Sequence, residues 1–174
     1  NWKKKAYQNA AGLKGRTLGI IGLGSIGNAL AKLAKGLDMN VIAWSRSLTP
    51  DKADKLDLNY CESITEVAAN ADVVSVHLAM TPDTKHLLNN DFFNKMKDGA
   101  IFVNTSRGEI VDTAALRKAI DEKALRVGLD VFENEPGSGI AEFDQVDLAG
   151  LITGTPHIAA STNQASEAIA DEVV

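Results

Sequence analysis

The chain has 174 residues, of which 45% are apolar and 24% charged, the profile of one ordinary globular domain with a core of its own. A formal net charge of −5 leaves no basic footprint for nucleic acid, and the lone Cys61 rules out an internal disulfide framework and fits a reducing, cytoplasmic setting. No apolar run is long enough to span a membrane, no leader pattern stands at the start, and no metal site is expected.

Residues 1–16 are polar and basic, with Gly12 and Gly15 as breakers, and read as a connecting segment; Lys3-Lys4-Lys5 reads as solvated surface. Leu18, Ile20 and Ile21 make a short apolar strand that runs straight into Gly22-Leu23-Gly24-Ser25-Ile26-Gly27. After this loop Ile26, Leu30, Leu33 and Leu37 recur at helical spacing and are expected to face the core, until Gly36 and Asp38 close the helix. Asn40–Trp44 is the next strand. Thr49-Pro50 opens a short helix, and Ser63 with Glu66 forms a capping box for another. Asp72–Val76 is almost continuously apolar, as a parallel strand buried on both faces should be. Thr81 to Asn90 reads as loop, Asp91 to Met96 as a short helix, and Ala100–Asn104 as a strand. Asp112 caps a helix bearing Leu116, Ala119 and Ile120; Arg126–Val131 and Leu151–Thr153 are the remaining strands, and Ser161 with Gln164 is expected to cap a closing helix. Strands alternating with helices specify an α/β, Rossmann-type doubly wound parallel sheet.

A strand, a G-x-G-x-x-G loop and a helix in that order are the context a dinucleotide site requires. Gly22 permits the tight turn, Gly24 leaves room for a pyrophosphate, and Gly27 lets helix and strand pack closely; Ser25 and Ile26 begin a helix whose N–H groups can meet phosphate. Ligands of such sheets bind outside the carboxyl ends of the strands. Those ends carry Ser45-Arg46, His77-Leu78, Thr105-Ser106-Arg107, Asp130 and His157, with Ala159 just beyond. An acidic residue usually bonds the adenosine ribose at the end of the second strand, but here the chain reads Trp44-Ser45-Arg46-Ser47. A neutral serine beside an arginine accommodates a 2′-phosphate, so both NAD and NADP stand as candidate cofactors.

Three further motifs are Asn104-Thr105-Ser106-Arg107-Gly108-Glu109-Ile110-Val111-Asp112, Gly128-Leu129-Asp130-Val131-Phe132-Glu133-Asn134-Glu135-Pro136 and Thr155-Pro156-His157-Ile158. Together, downstream of the glycine loop, they resemble the D-isomer-specific 2-hydroxyacid dehydrogenases over nearly all of residues 15–165. The resemblance implies hydride transfer between NAD or NADP and a small 2-hydroxy or 2-oxo acid. It places the catalytic residues at Arg107, Glu135 and His157, and Asp130 near the nicotinamide carboxamide. The residue types suit that chemistry. Histidine exchanges protons near neutrality, a carboxylate orients its ring, and an arginine fork holds a substrate carboxylate. His77 is expected to line the pocket and His86 to be structural.

The resemblance further implies a homodimer and a second, flavodoxin-like domain built from both ends of a longer chain. Residues 17–160 are then the dinucleotide-binding domain and 161–174 the start of a helix returning to the substrate domain. A start at Asn1 and an end without a stop signal fit a piece of something larger, expected to bind cofactor but to turn over poorly alone. Within the family, Ala141-Glu142-Phe143-Asp144 and Thr155 to Thr162 look most like the D-3-phosphoglycerate dehydrogenases, which begin serine biosynthesis. Alanine at 159 and 160, where the family often has glycine, and Ser45 keep a glyoxylate/hydroxypyruvate reductase open as an alternative. Corepressor-type proteins that sense dinucleotide are a second one.

Overall fold

The structure, a computed structural model, describes residues 12–136 and 145–165. Its strands are β1 (Thr17–Ile21), β2 (Asn40–Trp44), β3 (Asn59–Tyr60), β4 (Val73–Val76), β5 (Ile101–Asn104), β6 (Arg126–Leu129) and β7 (Thr153–Gly154). They form one sheet in the order β3-β2-β1-β4-β5-β6-β7, with every pairing parallel. The helices are α1 (Ser25–Gly36), α2 (Pro50–Lys55), α3 (Ile64–Asn70), α4 (Asn90–Lys95), α5 (Thr113–Lys123) and α6 (Val146–Ala149). The chain leaves β1 toward β2 and β3, then crosses back to β4 on the other side of β1. That reversal of direction makes the β1/β4 seam the switch point at which a ligand crevice opens.

Both faces of the sheet are covered, which is why its strands read as unbroken apolar runs. On one face Ala31 and Ala34 of α1 and Ala53 of α2 pack on Leu18, Ile20, Val41 and Ala43. On the other, α3, α4 and α5 bring Val67, Phe92, Phe93, Leu116 and Ile120 against Ile21, Val74, Val76 and Phe102. Phe92, Phe93 and Phe102 meet edge to face with ring centroids 5.2 to 6.3 Å apart, contacts worth about 0.5–1.5 kcal/mol each beyond their buried area.

Local signals end the helices where the sequence suggests, with small shifts. Thr49 Oγ1 accepts from Lys52 N–H, Ser63 Oγ from Glu66 N–H, and Asp112 Oδ1 from Ala114 and Ala115 N–H. The returning arm of the capping box lands on Glu62 N–H. Asn89 caps α4, which therefore starts one residue earlier than expected, and β7 is Thr153–Gly154, with Leu151 in the preceding turn. The final helical turn, Asn163 to Ala165, is capped by Thr162 and not Ser161, since Thr162 Oγ1 accepts from Ala165 N–H. The rest of the expected closing helix, the segment 1–11 and the stretch Ala141–Asp144 lie outside the described residues.

The expected core face of α1 needs correction. Ile26, Leu33 and Leu37 are 70%, 68% and 54% exposed, and the buried positions are Gly27, Ala31 and Ala34. Leu30 alone of the expected set packs against the core. The reason is distance. The glycine loop drops the helix so near β1 that a Cβ at Gly27 would lie 2.3 Å from Gly22 O, and only small side chains fit along the inward stripe.

Candidate active site

The glycine loop is built as a dinucleotide cradle. Gly22 has φ +98°, and a Cβ there would lie 2.5 Å from His77 O, so no other residue fits the turn without strain. Gly22 N–H donates to Trp44 O and His77 N–H to Ile21 O, tying the loop to both neighbouring strand ends. Asn28 Nδ2 donates to Leu23 O and Gly24 O, fixing the loop from the helix side. Gly24 is different: it is exposed, its φ is an ordinary −84°, and a Cβ there would meet nothing within 4 Å. No atom of the described residues requires a glycine at 24. The space beside it at the head of α1 suits a pyrophosphate, which would need it.

Ile26, His77, Leu78, Thr105, Ser106, Arg107, Asp130, His157 and Ala159, all singled out in the sequence, line one cavity of about 670 Å³ together with Ala79, Met80 and Ala160. Four of the five strand ends thus converge as expected. The fifth lies apart. Ser45 lines a second cavity of about 300 Å³ with Leu23, Asn28, Ser47, Lys52 and Lys55, and Arg46 is exposed beside it. The glycine loop separates the two, Leu23 facing one and Ile26 the other, an arrangement with room for the two ends of one extended ligand.

His157 Nδ1 lies 2.6 Å from Glu135 Oε2, and Glu135 Oε1 accepts from Phe132 N–H at 2.7 Å. A carboxylate oxygen can only accept, so Nδ1 carries the hydrogen and Nε2 is left to exchange protons. Glu135 stands behind the ring and does not line the cavity. His157 itself has φ +53°, and its N–H donates to Asp130 O. Asp130 holds the rest of that loop. Its Oδ1 accepts from Thr155 Oγ1 at 2.5 Å and Ile158 N–H at 2.9 Å, and its Oδ2 from Ala159 N–H at 2.9 Å. Burial alone would raise the Asp130 carboxyl, but the hydrogen bonds from Thr155, Ala159 and Ile158, with His157 close by, hold it below the ordinary value. Three bonds leave capacity for one more on this carboxylate, and Asp130 lines the cavity.

Asn104, fully buried at the end of β5, was not singled out by sequence reasoning. Its Oδ1 accepts from Ser106 N–H and Oγ, and its Nδ2 donates to Arg107 O, which shapes the turn that presents Arg107. An asparagine directly before Thr-Ser-Arg-Gly is the signal that could have found it, as an Asx-type turn. Arg107 is exposed, with Nη1 donating to Ser106 O at 2.6 Å, so most of its fork is available to a ligand. His77 Nε2 pairs with Ser75 Oγ at 2.9 Å, and burial keeps its imidazole below the ordinary value, a neutral wall of the pocket. His86 is structural, as expected, bonding Glu133 at 2.6 Å. Buried Cys61, pushed up to about 11 by burial and by nearby Glu66, is an inert thiol. Among the described residues no cluster of His, Cys, Asp and Glu could hold a metal ion, and no helix is long and apolar enough to cross a membrane.

Sheet order, glycine loop and the paired cavities define a Rossmann-type dinucleotide-binding domain. Residues 1–159 match the model of the D-isomer specific 2-hydroxyacid dehydrogenase NAD binding domain, and the chain belongs to that family. It is 41% identical over 165 residues to the glyoxylate reductase of Thermococcus litoralis, covering 93% of this chain and 48% of that protein. It is equally 41% identical over 165 residues to the D-3-phosphoglycerate dehydrogenase of Archaeoglobus fulgidus, covering 94% of this chain and 30% of that protein. The structure of D-lactate dehydrogenase from Aquifex aeolicus, complexed with NAD and lactic acid, matches with a TM-score of 0.79 at 33% identity, covering 91% of this chain and 51% of that one. The chain therefore spans about half, or less, of the length of these relatives.

Proposed function

We propose that this chain is the cofactor-binding half of an oxidoreductase that moves a hydride between NAD or NADP and a D-2-hydroxy acid or its 2-oxo acid. The observation that carries this reading is His157, held by Glu135 at 2.6 Å and lining the same cavity as Arg107 beside the glycine loop. The nicotinamide supplies or accepts the hydride when bound. His157 gives a proton to the C2 oxygen when a 2-oxo acid is reduced and removes it in the reverse direction. Glu135 keeps the ring in the tautomer that leaves Nε2 toward the substrate and stabilises the imidazolium. Arg107 grips the substrate carboxylate with its fork and polarises the neighbouring carbonyl. Asp130 fixes the loop of His157 and has one acceptor site left for the carboxamide.

D-3-phosphoglycerate is the substrate we favour, supported by the Ala141–Asp144 and Thr155–Thr162 sequences and by the A. fulgidus relative. The T. litoralis relative supports glyoxylate equally well in identity. Ser45 and Arg46 favour acceptance of NADP, and Lys52 and Lys55 add positive charge to the adenosine-end cavity. We assign the exposed Leu33 and Leu37 of α1 to a homodimer contact. The test is an assay of the whole protein with 3-phosphoglycerate, glycerate, lactate and glyoxylate, each with both cofactors. Turnover of the phosphorylated acid above the others supports the favoured substrate, preference for glyoxylate replaces it, and dinucleotide binding without any turnover points to a sensor.

A further inference from the structure

We infer that Glu133, gripped by His86 and Thr113, is a positioning residue for the Glu135–His157 pair. Glu135 reaches His157 only because the turn from Phe132 to Glu135 stands at the right height, with Asn134 at φ +59° and Phe132 N–H donating to Glu135 Oε1. Three separate elements hold that turn through Glu133. His86 Nε2, from the loop after β4, lies 2.6 Å from Glu133 Oε1; Thr113 Oγ1, in the first turn of α5, donates to Oε2 at 2.9 Å; and Gln145 Nε2, before α6, donates to Glu133 O at 2.7 Å. The His86 loop is itself pinned, His86 N–H donating to Glu109 O and Leu88 bridging Val111. From above, Gly108 leans directly on the turn, and a Cβ there would lie 2.0 Å from Phe132 C and O. The strand-end loop that carries Arg107 and the turn that carries Glu135 are thus stacked on one support.

Glu133 does not touch the active-site cavity. It faces a small internal space shared with Thr113, Leu116 and Gln145, so any effect on chemistry passes through the backbone to Glu135. Loss of its side chain lets the turn drift, lengthens the Glu135–His157 contact and frees the imidazole to take its other tautomer. A displacement on the ångström scale costs up to about 100-fold in rate when a catalytic group is involved.

This inference rests on the catalytic reading of His157 and Glu135, and its test separates the two. The imidazole 15N shifts of His157, read through its carbon-bound ring protons at a pH where the ring is neutral, report which nitrogen bears hydrogen. The wild-type chain is expected to show Nδ1–H, and Glu133→Ala a mixture with Nε2–H. In the whole protein Glu133→Ala should lower kcat about 10- to 100-fold while the cofactor Kd stays unchanged. Glu133→Gln can still bond both partners, because the Thr113 hydroxyl accepts as well as donates, and should restore the tautomer and most of kcat. Thr113→Val removes one bond with little change of shape and should give an intermediate shift even if Glu133→Ala does not fold. An unchanged His157 tautomer in Thr113→Val and Glu133→Ala, or a Glu133→Gln variant as impaired as Glu133→Ala, overturns the inference. Full turnover by His157→Ala would sink the catalytic reading instead, while the tautomer measurement would still decide the role of Glu133.

Discussion

Asp130→Asn is a sharp perturbation because it keeps the shape of a buried side chain and changes only which atoms can accept. The carboxylate takes three hydrogen bonds, from Thr155 Oγ1, Ile158 N–H and Ala159 N–H. The amide can place its NH2 group at the Oδ2 position, where it faces the Ala159 N–H, or at Oδ1, where Thr155 can turn to accept but Ile158 N–H cannot. Either orientation leaves one backbone donor against another donor. Losing one bond to a charged acceptor costs about 1.5–3 kcal/mol, and in a chain of this size about 2 kcal/mol lowers Tm by about 4–8 °C. The pH dependence follows from the depressed carboxyl of Asp130. A carboxylate whose folded pKa lies below the unfolded one stabilises fully above the unfolded value, about 3.9, and loses that contribution as pH falls through the folded value. Thermal melts of both proteins from pH 7 into acid should therefore show the full gap at neutrality and a shrinking one below about pH 4. Equal stability at pH 7, or a gap that stays constant into acid, would refute the assignment of Asp130 as the anchor of the His157 loop.

Gly27→Ala drives a methyl to 2.3 Å from Gly22 O, and should cost about 1–3 kcal/mol by overpacking and weaken NADH binding; an undisturbed fluorescence titration would refute the close helix–strand approach. Arg46→Asp should raise the NADP Kd by about 10- to 100-fold, the worth of one charge-assisted hydrogen bond, without weakening NAD. Calorimetry showing NADP unaffected would remove Arg46 from the phosphate site. Leu33→Glu combined with Leu37→Glu should dissociate the proposed dimer in sedimentation, and a variant that stays dimeric would exclude that face of α1.

Much of the site was legible because it depends on the backbone. Gly22 is demanded by its own positive φ and Gly27 by the carbonyl of Gly22 five positions before it, and the crevice residues follow from the rule that strand ends carry ligands, given strands that read as apolar runs. The face of α1 was not legible. A stripe of Ile26, Leu33 and Leu37 and a stripe of Gly27, Ala31 and Ala34 share the same period, and only the closeness of β1 decides that the small stripe turns inward. The supporting polar residues were hidden for a different reason. Thr155 meets Asp130 across 25 positions and His86 meets Glu133 across 47, so neither bond leaves a local pattern. The two-residue strand β3 also escapes periodicity, since it is set by its neighbour in the sheet, whereas β7 is expected but placed slightly early.

His157→Ala in the whole protein tests the heart of the proposed function, with steady-state turnover of the preferred 2-oxo acid and the NADH Kd measured on the same preparation. The expected result is a fall in kcat of about 10²- to 10⁴-fold, the usual worth of a general acid–base group, with the Kd unchanged. Turnover near the wild-type rate would contradict the assignment of the His157–Glu135 pair as the proton-transfer centre.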